Sequence, residues 1–135
     1  MPRTKPKSAK IARTSITPTA MQEMRAMGYL VARVEHWNPF AKPFGKRVDL
    51  FGCIDLLGIE PVNQITLGVQ VTSRANVSQR LRKIESLDNA LAWLRTGHGL
   101  QVWGVDKFNN RARILVVVCG IVGGRIQAVD RYDLV

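Results

Sequence analysis

The sequence predicts an α/β (α+β) fold, a central mixed β-sheet flanked by helices in the order α-β-β-β-α-β-β. Three observations carry that expectation. Stretches rich in β-branched and aromatic residues, such as YLVARVEHW, VDLFGCIDLL and ITLGVQVT, read as strands. Two other stretches have helical start and stop signals, and the strands fall in groups before and after the second of them. The chain has 135 residues, 46% hydrophobic and 22% charged, which is ordinary for one domain around a single core.

Residues 1–16 (MPRTKPKSAKIARTSI) carry Arg3, Lys5, Lys7, Lys10 and Arg13 with no acid and almost no large apolar side chain. Such a segment buries too little to order itself, so it is expected to be a flexible basic arm ahead of a domain at 17–135. Thr17 and Pro18 supply an N-cap and a first helical residue, Met21, Met24 and Met27 an apolar stripe, and Gly28 a stop. Tyr29 to Trp37 is expected as the first strand, Asn38 to Lys46 (NPFAKPFGK) as a loop, and Val48 to Leu57 and Ile65 to Thr72 as two more strands around a turn at 61–64. Asn76-Val-Ser-Gln79 resembles a capping box and opens a helix expected to reach about Arg95, where Gly97 and Gly99 end it. Leu100 to Val105, Ala112 to Val122 and Arg125 to Tyr132 complete the strands, with turns at Asn109-Asn110 and Gly123-Gly124.

Charge narrows the partners more than the fold. Twenty Lys and Arg against ten Asp and Glu give a net +10, which favours polyanions. The longest apolar stretch, Ile114 to Val122, is about half of what a bilayer span needs, and no secretory leader is visible. Cys53 and Cys119 lie in separate strand-like runs and His36 and His98 are isolated, so no zinc site is expected and both thiols read as free and buried in a cytoplasmic setting. No P-loop or dinucleotide fingerprint is present. Trp37, Trp93 and Trp103 are expected in the core rather than stacked on bases, although Trp37 borders the loop.

The hairpin holds the most informative side chains. A turn centred between Val62 and Asn63 sets Asp55 opposite Gln70 and Cys53 opposite Thr72, with Cβ atoms about 4.5–5.5 Å apart in directly opposed pairs. Alternation then puts Leu50, Ile54, Leu56, Leu67, Val69 and Val71 on one face, and Asp49, Phe51, Cys53, Asp55, Gln70 and Thr72 on the other. A turn three positions earlier would set Asp49 opposite Gln70 instead. An acid and an amide facing each other among apolar strands need a partner, either a neighbouring loop or a hard divalent cation. Asp49 and Asp55 are roughly 20 Å apart in a straight strand, so both reach one ion only if the chain bends, for which Gly52 is the candidate.

Gly52-Cys-Ile-Asp55-Leu-Leu, a turn, then Leu67-Gly-Val-Gln70-Val-Thr72-Ser resembles the catalytic hairpin of the PD-(D/E)XK nuclease superfamily. The likeness is nearest to small phage and archaeal Holliday-junction-resolvase-like members and to virus-type replication–repair nuclease domains, and spans roughly residues 17–105. It implies a restriction-endonuclease-like fold, a Mg²⁺ (or Mn²⁺) cofactor, and hydrolysis of DNA, with branched DNA as the finer implication. By that resemblance Asp55 (or Asp49) is the metal-binding aspartate and Gln70 the second ligand position. Glu35 is the additional acid, with Glu23 as its alternative. Thr72 stands where the family has lysine, and Lys83 or Arg80 on the following helix are candidates to supply the cation. Arg33, Lys42, Lys46, Arg47, Arg74 and Arg82 would hold the phosphodiester backbone, and the arm would add sequence-independent grip. A homodimer is expected if two strands are cut, with Ile114–Val122 either its surface or a buried central strand. The competing expectation is a nucleic-acid-binding protein that keeps the scaffold without the chemistry.

Overall fold

The computed structural model describes residues 8–9 and 13–134, with side-chain surroundings from Ile16 onward. Arg3, Lys5, Lys7 and Lys10 of the expected arm lie outside the described residues. Within that segment Ser8–Ala9 forms a short strand, β1, and the first helix, α1, spans Arg13–Ala26. The helix therefore starts before the expected Thr17 cap and carries Pro18 inside it. Proline costs one backbone hydrogen bond there, and burial of Ile16 and Thr17 offsets that loss by docking the extra turn. Gly28, at φ +95°, ends the helical region as expected.

The expected first strand is two. Leu30–Arg33 (β2) and His36–Asn38 (β3) are separated at Val34-Glu35, where the Val34 N–H bonds Asp55 O at 2.9 Å. β3 leaves the main sheet and pairs only with Lys46–Val48 (β4), so the expected loop 38–46 is the closing turn of a separate two-stranded ribbon. The long hairpin then begins at Leu56–Glu60 (β5) rather than Val48 and returns along Ile65–Ser73 (β6). Its register is the first of the two expected, with Leu56 opposite Val69 and Leu57 opposite Gly68. Glu60 braces the turn, its carboxylate accepting from the Val62 and Asn63 N–H groups at 2.9 and 2.8 Å.

A 3₁₀ turn at Arg74–Asn76 precedes Val77–Glu85 (α2), and Asn76 makes no side-chain cap. The expected single helix breaks at Ser86-Leu87 and resumes as Asp88–Arg95 (α3). An unbroken helix would have carried Asp88 onto the stripe of Val77, Leu81 and Ile84, all buried. The break leaves Asp88 exposed and lets Ala90 pack instead. Gly99–Phe108 (β7), Arg111–Val122 (β8) and Arg125–Asp133 (β9) follow, joined at Asn109-Asn110 and Gly123-Gly124. All four turn residues have positive φ, the geometry that matches the twist of a two-residue hairpin.

The fold is α+β. The sheet runs β2-β5-β6-β7-β8-β9 with β1 against β7, and it is mixed because β6 and β7 are parallel while the other pairs are antiparallel. One apolar layer packs α1 (Ala20, Met24) on Leu56, Leu67, Val69 and Val71. The other packs α2 and α3 on Val102, Val117 and Cys119. Cys53 and Ile54 both belong to that second layer, so Ile54 is not on the Leu56 face as alternation predicted; residues 49–54 turn instead of continuing the strand. β8 is paired on both edges and largely buried through its middle, which makes it a central strand and removes its edge as a dimer surface. Among the described residues no helix is long and apolar enough to cross a membrane.

Candidate metal centre

The bend at Gly52 builds the site. Leu50 and Ile54 exchange backbone hydrogen bonds (2.9 and 3.0 Å) around Phe51 and Gly52, whose φ values are +55° and +80°. Glycine adopts that left-handed conformation freely, and the tight turn brings Asp49 back beside Asp55. Glu35 arrives from the β2–β3 break. Carboxylate oxygens of Glu35, Asp49 and Asp55 all lie within 4.8 Å of one another. Asp49 and Asp55, the two alternatives, therefore lie side by side.

Gln70, from the middle of β6, closes the cluster. Its Nε2 donates to Asp49 Oδ2 at 3.0 Å and to Asp55 Oδ2 at 3.2 Å, and the Val71 N–H donates to Asp55 Oδ2 at 2.7 Å. Gln70 is 2% exposed and its Oε1 has no hydrogen-bond partner. Asp55 is 5% exposed. Burial pushes its carboxyl up to about 8, helped by a proton shared with Asp49 and by that residue's charge, while the Val71 and Gln70 donors pull the other way. Glu35 is held differently, by Arg33 at 3.0 Å and Arg47 at 2.9 Å, both on Oε1.

These groups open into a cleft of about 490 Å³. Its wall includes Arg33, Lys46, Arg47, Arg80 and Lys83, so five cations surround the three acids. The relocated-cation expectation therefore has two residues in place, Arg80 and Lys83 from α2. Thr72 is 3% exposed and does not line the cleft. Glu23, the alternative acid, is exposed on α1 outside it. Arg74 is engaged with Asp133 of β9, and Arg82 is exposed and not on the cleft wall, so neither belongs to the site itself. Lys42 lies exposed at the ribbon turn.

Three carboxyl groups and an amide oxygen lacking a donor are oxygen ligands of the hard kind that a divalent cation takes. Neither buried cysteine belongs to this cluster. Burial raises the Cys53 thiol to about 11 and the Cys119 thiol to about 12, so both stay protonated at neutral pH.

Sequence reasoning did not single out Phe40 and Phe44, and it favoured the core for all three tryptophans. Trp103 is fully buried and Trp93 bonds Gly99 O through Nε1 at 2.7 Å, as core residues should. Trp37 is not in the core; it is 57% exposed on the ribbon, near Phe40 and Phe44 at 90% and 88%. The signal available was the interleaving of aromatic and basic residues in WNPFAKPFGKR. No family model matches the chain, and no curated protein or solved structure matches it either.

Proposed function

We propose that the chain is a metal-dependent endonuclease hydrolysing DNA phosphodiester bonds, with a branched substrate of the Holliday-junction type as the finer expectation. The observation that carries this reading is the convergence of Glu35, Asp49 and Asp55 on one point, beside Gln70, in a cleft whose wall also carries five cations. Acids alone would repel a polyanion and cations alone would only bind it. The two together, one inside the other, suit a bound ion with a phosphodiester across it.

Glu35, Asp49, Asp55 and Gln70 would hold the Mg²⁺ or Mn²⁺. Such an ion supplies Lewis-acid polarisation of a phosphoryl oxygen and a water of lowered pKa. The chain's own groups do the rest. Arg33 and Arg47 clamp the Glu35 carboxylate through its Oε1. Arg80, Lys83 and Lys46 line the same cleft and would supply a cation to charge developing on a phosphoryl group. The Val71 N–H keeps Asp55 oriented from the sheet, so its position does not depend on the ion. DNA is the partner, and +10 of net charge supplies attraction that is independent of sequence.

The second reading, binding without cutting, is favoured by Gln70 in place of an acid and by buried Thr72 in place of lysine. Incubating labelled linear, flap and junction DNA with Mg²⁺ or Mn²⁺ separates the two. Cleavage is expected, lowered roughly 10³-fold or more in Asp55→Ala with DNA affinity held within a few fold. A wild type that binds tightly and cuts nothing with either ion would establish the second reading.

A further inference from the structure

The ribbon of β3 and β4 stands apart from the main sheet, and the core does not explain its composition. Its strands pair His36 with Val48, Trp37 with Arg47 and Asn38 with Lys46. The turn is internally braced, with Phe40 N–H on Asn38 Oδ1 at 3.0 Å and Gly45 N–H on Ala41 O at 2.6 Å. Phe40 and Phe44 project from it, 90% and 88% exposed. Two phenyl rings left almost wholly in water on one short turn cost solubility and contribute nothing to packing.

Trp37 is placed more tightly. Gly45 has φ +88°, and a Cβ added there would meet the Trp37 ring, so the indole lies over the glycine backbone. Directly opposed residues of an antiparallel pair point to one face, so Trp37 shares its face with Arg47, whose guanidinium reaches Glu35 in the cleft. The ribbon is therefore continuous with the cleft wall. Between Glu35 and Asp49 the chain has no acid, and Lys42, Lys46 and Arg47 alternate with the rings.

We infer that this ribbon is a stacking arm for unpaired nucleotides: Phe40 and Phe44, with Trp37 behind them, receive the bases of a single-stranded stretch whose backbone follows Lys46 and Arg47 into the cleft. Aromatic faces interleaved with cations are what an unpaired strand needs, whereas a duplex keeps its bases stacked on one another and offers the rings nothing. The inference rests on the polynucleotide reading of the cleft, but not on catalysis. It makes the preferred substrate one with an unpaired segment beside the attacked bond.

Binding measured by fluorescence anisotropy in EDTA tests it, with labelled single-stranded and duplex DNA of one sequence. The double variant Phe40→Ala/Phe44→Ala removes only exposed side chains, and circular dichroism confirms its fold. Single-strand affinity is expected to fall about 10- to 100-fold, with duplex affinity changed by no more than about twofold. Phe40→Tyr/Phe44→Tyr should restore the single-strand affinity, and Phe40→Leu/Phe44→Leu should not, because stacking needs a flat face rather than an apolar one. If the alanine variant binds both DNAs as the wild type does, the arm is overturned while the cleft reading stands. If the wild type binds neither DNA, the cleft reading falls and takes the arm with it. Loss of binding to phosphatidylserine/phosphatidylcholine vesicles without loss of single-strand affinity would also overturn it, in favour of a membrane surface.

Discussion

Two aspartates of this protein are buried to nearly the same degree and live opposite lives. Asp106, 7% exposed, is gripped by Arg113 through two bonds, Nε to Oδ1 at 3.0 Å and a terminal nitrogen to Oδ2 at 2.8 Å, and Phe108 packs under the same guanidinium. Asp55, 5% exposed, faces Asp49 and Glu35 instead, and its nearest donors are an amide and one N–H. The first charge is neutralised within the fold, so β7 and β8 gain from it. The second is crowded by its own sign, and folding alone gives no reason to gather three acids there. Burial does not separate these two carboxylates; the sign of their neighbours does.

That contrast can be broken most sharply by mutation. Asp106→Ala removes a charge-assisted pair and should lower unfolding stability by about 1–3 kcal/mol in a urea titration. Asp55→Asn removes repulsion, keeps an acceptor for the Val71 N–H, and should leave metal-free stability unchanged or raised. Equal losses in both would mean that Asp55 is a structural residue like Asp106, and the contrast would fail.

The same contrast should appear with pH. The Asp55 carboxyl is raised from 3.8 to about 8 in the folded chain by burial and by Asp49. The folded state therefore binds that proton more tightly than the unfolded one. The stabilisation is complete below the unfolded value and is lost as pH rises through the folded one. Metal-free wild type should unfold at lower temperature at pH 8 than at pH 5, and Asp55→Asn should flatten the difference. A wild type whose stability rises over that interval would contradict the crowding of the three acids.

Much of this site was legible because strand periodicity is stiff. The pairing of the long hairpin follows from its turn, and that pairing puts Asp55 and Gln70 at the end of the ladder. Gly52 was a readable bend because its φ has no other use in a strand. What escaped was set by tertiary contacts. Ile16 and Thr17 find buried places that extend α1 past Pro18, and Asp88 breaks the α2–α3 run because a buried carboxylate there would have no partner. Glu35 looked like part of one long strand. At the break the structure places the Val34 N–H on Asp55 O and the Glu35 carboxylate between Arg33 and Arg47, contacts that strand periodicity does not carry. The ribbon itself read as a loop, since NPFAKPFGK carries turn residues and its strands are three residues each.

The central claim is that Glu35, Asp49, Asp55 and Gln70 form a place for a divalent cation. Isothermal titration of Mn²⁺ into wild type, Asp55→Asn and Asp106→Asn tests it most directly. The account predicts saturable binding to wild type and Asp106→Asn, lost in Asp55→Asn. Equal binding to all three proteins, or none to the wild type at millimolar ion, would contradict it.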